Sequence, residues 1–414
     1  MTKESKNIQY YFIPTLIIFS FLSRFITVYF FRDLQFDHEW NILLNNLINY
    51  KSFSFYSFNG ELMPSAYMPP LYPFLIYSVK IITSFEKSNL LYSIFLLQIL
   101  LSTFSVYLFY TLNQNFFSKK ISAINSFFFS AMPINIYVCG QISSINLQVF
   151  LSIVFLNFLF LIIKNQKNKN IIFFSIISAL LILTRGEFIL VFLLTLFFLF
   201  FKRKIKMVNF IKILVIMILI ISPYVVRNYL AFNEVVIVKS LGFNLWKGNN
   251  ELSSVEGNED LSKKEFVKLK LKIENIKKDK YYEINRDNVF LKEAKDNLIN
   301  EPLRYINLFF KKLFSYYFVN FNSSYPNYYN IFHFIPALIL GVLSFPGFII
   351  ALKKRSFSLN IFLFYLCINL LIFSFFFILP RYKLIILPIQ IILASYFIDY
   401  IFSKIKKISL FCRL

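Results

Sequence analysis

Two carboxylates, Asp37 and Glu39, follow the first long apolar stretch of the chain and are separated only by His38. A carboxylate at the boundary between water and membrane can accept the proton of an attacking hydroxyl group as a general base. Acidic side chains in the first turn of a helix also offset the positive end of the helix dipole. The spacing therefore makes this pair a candidate for acid–base catalysis, with helix-end stabilisation as the structural alternative.

Three arginines, Arg185, Arg227 and Arg381, lie at the ends of separate apolar stretches farther along the chain. The planar guanidinium group matches phosphate oxygens with two parallel hydrogen bonds. If these arginines meet at the end of the molecule that carries the carboxylates, they can stabilise the charge that develops on a departing lipid phosphate. The alternative for each arginine is an anchor at the membrane interface.

The composition indicates that membrane-spanning helices position these side chains. Of the 414 residues, 57% are hydrophobic and 20% aromatic, and the mean hydropathy of +0.61 excludes an ordinary soluble domain. The predicted fold class is all-α, a polytopic transmembrane helix bundle of about 10 spans whose outer-face loops carry amphipathic helices. The predicted spans are approximately residues 10–31, 90–112, 121–138, 143–163, 170–185, 187–202, 208–226, 331–352, 357–379 and 383–402.

The positive charge predicts the orientation of the bundle. Lysines and arginines cluster between the predicted spans, at residues 119–120, 164–169, 202–206, 353–355 and 404–407. The positive-inside rule places all of these clusters in the cytoplasm. This arrangement requires residues 71–84, a short stretch beside two prolines, to be a surface or re-entrant piece and not a crossing. The net charge of +23 is thus assigned to loops at a membrane and not to binding of nucleic acid.

The outer end is expected to carry surface helices. Trp40, Leu43, Leu44 and Leu47 have the spacing of one apolar helix face, which predicts a helix along the membrane surface behind the two carboxylates. Arg24, inside the first span, either extends toward the interface or faces a polar cavity.

A long polar segment, residues 227–330, is predicted to hold further helices over residues 261–280 and 285–300. An amphipathic stretch with Tyr305, Leu308, Phe309, Lys312 and Leu313 follows, and is expected to rest on the outer membrane surface.

Several short motifs follow one another in an order that resembles a known family. They are the acidic pair after the first span, the sequence PPLYP at residues 69–73, Leu183-Thr184-Arg185, Ser222-Pro223-Tyr224 with Arg227-Asn228-Tyr229, Gly242-Phe243-Asn244-Leu245-Trp246 with Gly248-Asn249, and Arg381-Tyr382 with Pro388. This series resembles the GT-C membrane glycosyltransferases, in the branch of the protein O-mannosyltransferases and the lipid A aminoarabinose transferase.

The resemblance implies a first outer loop that bears the catalytic acid, and a polyprenyl-phosphate sugar as donor. Asp37 matches the catalytic base by position and is placed closest to the outer end of the first helix, with Glu39 as its rival. The motifs imply acceptor or loop roles for Tyr67, Tyr72, Asn244 and Asn249.

The sequence departs from the family at two places. Where many relatives carry an acid in the second outer loop, this chain has Asn146, and where the aminoarabinose branch has a lysine before its two prolines, it has Met68. The aminoarabinose substrate is therefore not carried over.

Three regions are predicted from the resemblance and the charge pattern. Residues 1–226 form a GT-C-like catalytic membrane module with a first outer loop at 32–89, residues 227–330 a long extracytoplasmic loop with surface helices, and residues 331–414 the C-terminal transmembrane helices.

The predicted function is transfer of a sugar from a polyprenyl-phosphate donor to a glycan, lipid or protein acceptor at the extracytoplasmic face of a bacterial inner membrane. No cofactor is predicted, and a divalent metal is left open but not indicated. Cys139, Cys367 and Cys412 are too scattered for a metal or disulfide framework. A polysaccharide or lipid transporter is the alternative. The lack of an evident internal repeat disfavours it.

Overall fold

A computed structural model describes residues 11–35, 39–83, 87–325, 328, 330–354 and 356–406. The α-helices are α1 (Ile13–Phe31), α2 (Glu39–Tyr50), α3 (Leu71–Thr83), α4 (Lys87–Asn113), α5 (Lys119–Ala131), α6 (Pro133–Tyr137), α7 (Ile145–Lys164), α8 (Asn168–Thr184), α9 (Phe188–Phe201), α10 (Met207–Phe232), α11 (Leu241–Gly248), α12 (Val267–Glu274), α13 (Tyr282–Asn300), α14 (Pro302–Tyr317), α15 (Ile331–Lys353), α16 (Phe357–Phe375) and α17 (Lys383–Lys406). Two strands, β1 (Ser54–Phe58) and β2 (Glu61–Pro64), form an antiparallel hairpin.

The structure confirms the all-α polytopic bundle. Among the described residues, seven helices are long and apolar enough to cross a membrane. They are α1, α4, α7, α10, α15, α16 and α17. The chain is thus an integral membrane protein by fold and composition.

Three other predicted crossings have shorter helices. The predicted span 121–138 is α5 followed by Pro133–Gly140, with a bend of 61° between them. The break falls at Met132, which is extended because the residue before a proline is disfavoured in the α conformation. Helices α8 and α9 have only 17 and 14 residues, joined by the turn at Gly186. Helix α3, predicted not to cross, has 13 residues.

The two ends of the bundle differ in chemistry. At one end two of the basic loops contact each other: Gln166 Nε2 donates to the Lys204 carbonyl over 3.0 Å, and the Lys206 amide donates to Gln166 Oε1 over 3.1 Å. The opposite end carries residues 32–35, 39–70, 233–325, 328 and 330, and we call it the loop face. The predicted basic clusters 164–169 and 202–206 therefore meet in the fold.

The loop face is built partly from a hairpin that the sequence analysis described only as a turn region. Its turn residues, Asn59 and Gly60, have φ values of 51° and 82°, as the two-residue turns that match strand twist require. The apolar side of α2 packs beside this hairpin. Leu43, Leu44 and Leu47 are buried, so the predicted apolar face exists, but protein and not the membrane surface covers it.

The segment from residue 241 to 317 differs in detail from the prediction. The helix predicted over 261–280 is reduced to a turn of 3-10 helix and the eight residues of α12, whereas the second predicted helix is α13. The amphipathic stretch is α14, but Tyr305, Leu308 and Lys312 lie on its buried face. The face predicted to rest on the membrane is thus covered by protein.

Arg24 faces the polar interior and not the interface. Its Nε donates to Ser102 Oγ over 2.7 Å, and Nη1 donates to the carbonyl oxygens of Ser20 and Ser130. The Ser130 carbonyl is in the last turn of α5, where helical partners are lacking. Arg24 therefore satisfies the end of the broken helix.

Candidate active site

The first carboxylate on the loop face is Asp33. Helix α1 ends at Phe31 because Arg32 adopts an extended conformation, and the Asp33 amide then donates to the Gly140 carbonyl over 2.8 Å. Gly140 permits this approach, since a Cβ there would lie 3.2 Å from the Arg32 Cα atom. Asp33 is thus a third carboxylate beside the predicted pair, two residues beyond the last residue of α1.

The other two acids differ in what the structure shows of them. Asp37, the predicted base, lies outside the described residues. Glu39 is the first residue of α2 and is exposed, at the helix end where a negative charge is favourable. Burial, and less strongly the charge of Glu39, raises the pKa of the Tyr67 phenol.

Two of the three predicted arginines meet at one aromatic ring. The guanidinium carbon of Arg185 lies 4.7 Å, and that of Arg381 6.0 Å, from the centre of the Tyr382 ring. Arg185 ends α8, and Arg381 belongs to a turn of 3-10 helix at Pro380–Tyr382. Contact with the same ring gathers two cations from distant parts of the chain.

Arg185 is held by weak contacts that leave donors for a ligand. Its Nε donates to Gln148 Oε1 over 3.2 Å, and its Nη1 lies 3.9 Å from a carboxylate oxygen of Glu187. The side chain is 19% exposed. A guanidinium group with five donors can therefore still offer N–H groups to an anion.

A small pocket opens at Arg185. Its lining residues are Arg185, Glu187, Asn244, Phe373, Phe376, Phe377 and Tyr382. The predicted residue Asn244 is thus brought to the arginine pair by α11. The pocket combines one cation, one carboxylate, one amide and aromatic walls, which suits a polar headgroup that carries an apolar chain.

The arginine pair is connected to Asp33 by tyrosines. The charge of Arg381 opposes the effect of burial, which raises the pKa of Tyr328 to about 12. The Tyr328 ring packs edge-on against Tyr137 with 5.1 Å between centres. Asp33 is close enough to both phenols to affect their pKa values. Asp33 and Arg381 therefore border the same part of the loop face.

Aromatic rings connect the arginine pocket to Glu39. The Tyr67 ring lies 6.1 Å from that of Phe243, the neighbour of Asn244. Burial, and more weakly the charge of Glu39, also raises the pKa of Tyr56, whose hydroxyl accepts a hydrogen bond from Arg286 over 2.8 Å. Four predicted site residues, Glu39, Tyr67, Asn244 and Arg185, thus lie along one continuous surface.

Arg227 makes a different set of contacts. Its Nη1 donates to the Ser65 carbonyl over 2.6 Å, and its Nη2 donates to the Phe53 carbonyl over 2.9 Å. These bonds fix the segment before the two prolines to α10. The structure supplies a structural role for Arg227, and its assignment to a donor phosphate stays a prediction.

Tyr72 and Asn249 also hold the fold together. Tyr72 is buried, donates to Gln98 Oε1 over 3.2 Å and packs edge-on against Trp40. Asn249 donates to the Phe375 carbonyl over 2.8 Å and accepts from Lys312 Nζ over 3.0 Å. Neither side chain faces the Arg185 pocket, so their predicted acceptor or loop roles rest on the motifs alone.

Glu283 of α13 connects the long segment to the chain just before Tyr67. One oxygen of its buried carboxylate accepts from Ser65 Oγ over 2.7 Å, and the other accepts from the Ala66 amide over 2.6 Å. Arg227 holds the Ser65 carbonyl from the other side. The chain just before Tyr67 is therefore fixed between α10 and α13, and we call these contacts the loop clamp.

Known proteins resemble this chain in sequence over one region. The family described as dolichyl-phosphate-mannose-protein mannosyltransferase matches residues 68–226, which include the two prolines, Arg185 and the start of the Arg227 motif. No curated relative matches the sequence.

The whole fold resembles the oligosaccharyltransferase of Archaeoglobus fulgidus. The structure tethered to an acceptor peptide with the NVT sequon has a TM-score of 0.57 and 13% identity, covering 96% of this chain and 50% of that one. The complex of that enzyme, AglB, with an inhibitory peptide and a dolichol-phosphate has a TM-score of 0.56, 13% identity, and coverages of 96% and 51%. The resemblance to the GT-C glycosyltransferases is confirmed. The chain spans about half the length of these structures, and such low identity establishes the fold alone.

A further structure of the same archaeal enzyme, with 14% identity and a TM-score of 0.57, contains zinc and sulfate; the match covers 94% of this chain and 49% of that one. Within the described part of this chain, no group of three His, Cys, Asp or Glu side chains is arranged to hold a metal. Asp37 and His38 fall outside that part, and a transfer assay tests whether the reaction requires a metal.

Sequence reasoning missed Asp33, Glu187 and Tyr328 in this GT-C fold. Asp33 directly follows the first apolar stretch, and this was the available signal for it. Glu187 is two residues from a predicted arginine, but only its 3.9 Å distance to Arg185 shows that it borders the pocket. Tyr328 reaches Arg381 from a loop about fifty residues away in sequence, which no local pattern indicates.

Proposed function

We propose that this protein is a membrane glycosyltransferase that moves a sugar from a polyprenyl-phosphate donor to an acceptor hydroxyl group at the loop face, which faces outward from a bacterial inner membrane. The observation that carries the proposal is the pairing of Arg185 and Arg381 at Tyr382, on the same face as Asp33 and Glu39. The dolichol-phosphate complex and the acceptor peptide described for the archaeal enzyme support a lipid phosphate donor and a polar acceptor.

The chemistry assigns one role to each group. A carboxylate takes the proton of the acceptor hydroxyl as its oxygen bonds to the anomeric carbon. The bond from that carbon to the phosphate oxygen breaks, and its electron pair leaves with the lipid phosphate. Attack opposite the departing phosphate inverts the anomeric centre. Arg185 and Arg381 stabilise the charge gained by the phosphate, which is greatest after bond cleavage.

The base is chosen among three carboxylates. Asp37 matches the family by position, and Glu39 begins α2 beside Tyr67. Asp33 is added by the fold, since it borders the arginine pair through Tyr328 and Tyr137. All three lie within seven residues of sequence at the end of α1, where a hydroxyl acceptor can approach from water.

The test is donor cleavage by the purified protein in lipid nanodiscs, with polyprenyl-phosphate-mannose as probe and a panel of sugar and peptide acceptors. We expect release of polyprenyl phosphate that depends on an acceptor, and addition of EDTA measures any metal requirement. Flipping of the lipid without cleavage would instead support the transporter. Mass analysis of envelope glycans in a deletion strain identifies the sugar and acceptor, and an unchanged glycan profile would contradict the proposal.

A further inference from the structure

Helix α14 leaves a continuous apolar stripe uncovered on the loop-face side of the bundle. Leu303, Ile306, Phe310 and Phe314 recur at the three- to four-residue spacing of one helix face and are 82%, 53%, 61% and 47% exposed. Ile299, 74% exposed, continues the stripe at the end of α13. Removal of such side chains from water is favourable in proportion to their apolar area, so an apolar phase is expected to cover them.

The opposite face of α14 already packs on the protein. Tyr305, Leu308, Lys312 and Tyr316 are all buried. Lys312 donates to the Gly248 carbonyl over 2.8 Å and to Asn249 Oδ1, which fixes the rotation of the helix. The stripe therefore points away from the protein, and rotation of α14 cannot bury it.

The C-terminal end of α14 reaches between the spanning helices. Tyr317 Oη accepts from Ser344 Oγ over 3.0 Å, and the Tyr317 carbonyl accepts from Gln390 Nε2 over 2.7 Å. Ser344 is thirteen residues beyond the start of α15, or about 20 Å along that helix at 1.5 Å per residue. Helix α14 is therefore not parallel to the membrane surface but descends toward the bundle interior.

The stripe continues into the exposed apolar surface of the spanning helices. Phe314 packs on Phe318 with 4.8 Å between ring centres, and Phe318 packs on Phe345 of α15, which is 46% exposed. Phe309 lies 5.0 Å from Phe375, the exposed last residue of α16. The stripe and the lipid-facing surface of the bundle are thus one surface.

We propose that α14 is inserted into the membrane leaflet on the loop-face side, with the stripe in contact with lipid acyl chains. The stripe consists of Leu, Ile and Phe side chains without a polar atom, as a hydrocarbon environment requires. The exposed cation beside it, Lys311, has a stem long enough to extend toward lipid phosphates, whereas Arg304 is paired with Glu301. A second copy of this chain or a soluble partner is the alternative occupant.

The insertion has a consequence for the depth of the arginine pocket. Tyr316, on the buried face of α14, packs on Phe373 with 5.7 Å between ring centres. Phe373 lines the pocket and packs on Tyr382. An inserted α14 therefore separates the pocket from lipid at the level of the outer part of the leaflet.

Spin-label accessibility tests the insertion. Single cysteines replace Leu303, Phe310 and Phe314 in the full chain without its native cysteines, in nanodiscs of phosphatidylethanolamine and phosphatidylglycerol. Collision with oxygen reports contact with hydrocarbon, and collision with a water-soluble nickel chelate reports contact with water. Lys278→Cys is the water control and Ile339→Cys, on the exposed face of α15, is the lipid control.

We expect Phe310→Cys and Phe314→Cys to resemble Ile339→Cys, with the deepest label at 314 and the shallowest at 303. Labels at 310 and 314 that resemble Lys278→Cys would overturn the insertion. Protection from both probes, with dipolar broadening between labels, would identify a second copy as the occupant and also overturn it. The replaced side chains are exposed, so each variant is expected to keep the fold. The two control variants are measured under the same conditions. Because the readout is independent of sugar transfer, it stands apart from the proposed function.

Discussion

At the residue scale, the three predicted arginines are not equivalent. Arg185 and Arg381 meet at the Tyr382 ring beside the pocket, whereas Arg227 donates to two backbone carbonyls of the loop face. A lysine retains the charge but not the fork of donors, so replacement of arginine by lysine separates phosphate binding from simple charge.

Arg185→Lys and Arg381→Lys are expected to raise the KM for the polyprenyl-phosphate donor by about 10–100-fold, because hydrogen bonds to charged groups contribute about 1.5–3 kcal/mol. Thermal stability should change little. Arg227→Lys should lower thermal stability and leave the KM for the donor near wild type. Donor titrations in nanodiscs and thermal melts of the same samples check both parts. A donor KM that responds only to Arg227→Lys would reverse these assignments.

The three carboxylates are distinguished by charge-neutral variants. General-base catalysis contributes about 10²–10⁴-fold to rate, so the base is the residue whose amide variant loses that much kcat while donor binding persists. We expect this of Asp37→Asn, with smaller losses for Glu39→Gln and Asp33→Asn. A loss of this size in Asp33→Asn alone would transfer the role to the acid nearest α1. Full activity of all three variants would contradict catalysis by this segment.

Glu283 makes the loop clamp sensitive to pH. Burial raises the pKa of its carboxyl to about 7 from an ordinary value of 4.5, although hydrogen bonds from Ala66 and Ser65 oppose the shift. Between these two values the folded protein binds more protons than the unfolded chain, so stability falls as pH rises. The contribution is fully present below pH 4.5 and is lost as pH passes through about 7.

Glu283→Gln keeps an oxygen acceptor and removes the titration. The stability of wild type relative to Glu283→Gln is therefore expected to decrease from pH 4.5 to pH 8, by at most about 3 kcal/mol, since one pKa unit corresponds to about 1.4 kcal/mol. Thermal unfolding of both proteins across this range gives the difference directly. A difference that is constant, or that increases with pH, would refute the buried-acid interpretation.

At the element scale, close helix packing depends on a few glycines. A Cβ at Gly347 of α15 would lie 1.9 Å from the Leu393 carbonyl oxygen of α17, and one at Gly248 would lie 2.1 Å from the Phe376 carbonyl oxygen. Both obstacles are backbone atoms, which cannot rotate away as a side chain can. Small residues at such contacts let membrane helices approach each other.

Gly347→Ala is therefore expected to destabilise the protein by about 1–3 kcal/mol or more, as overpacked sites do. Val342→Ala, at an exposed position on the same helix, is the matched control and should change stability little. Melting temperatures in detergent compare the two. Equal melting temperatures of the two variants would show that α15 and α17 can move apart without loss of stability.

Several elements could be predicted from sequence and others could not. The long apolar helices were predictable, because a bilayer requires about 20 apolar residues for each crossing. The hairpin was missed, although its Asn59-Gly60 turn is a known signal, because no regular alternation of apolar residues surrounds it. The covering of α2 by protein depends on Phe53 and Tyr224, which no helical pattern could indicate.

The site was predictable in its parts but not in its assembly. Arg185 and Arg381 were found by type and position, but their meeting at Tyr382 is a tertiary fact. The contact from Ser65 to Glu283 joins residues 218 positions apart, and that from Arg24 to Ser102 joins residues 78 apart. A single sequence contains the chemistry of these groups and no information on their pairing.

At the scale of the whole molecule, charge and fold agree on two unlike ends. Two of the basic loops contact each other at one end, and Asp33, Glu39, the arginine pocket and the helices of the long segment occupy the other. From the positive-inside rule we expect the basic end to lie in the cytoplasm.

Exposed lysines at the two ends give a direct test of orientation. In a chain whose native cysteines are replaced, Lys278→Cys on the loop face should react with a membrane-impermeant maleimide in intact cells, and Lys167→Cys at the basic end should react only after the membrane is opened. Both side chains are exposed in the fold, so burial does not limit labelling of either one. Labelling of Lys167→Cys in intact cells, with Lys278→Cys protected, would invert the bundle and place the arginine pocket in the cytoplasm. Labelling of both positions in intact cells would require an even number of crossings between them in place of the odd number that the present topology contains.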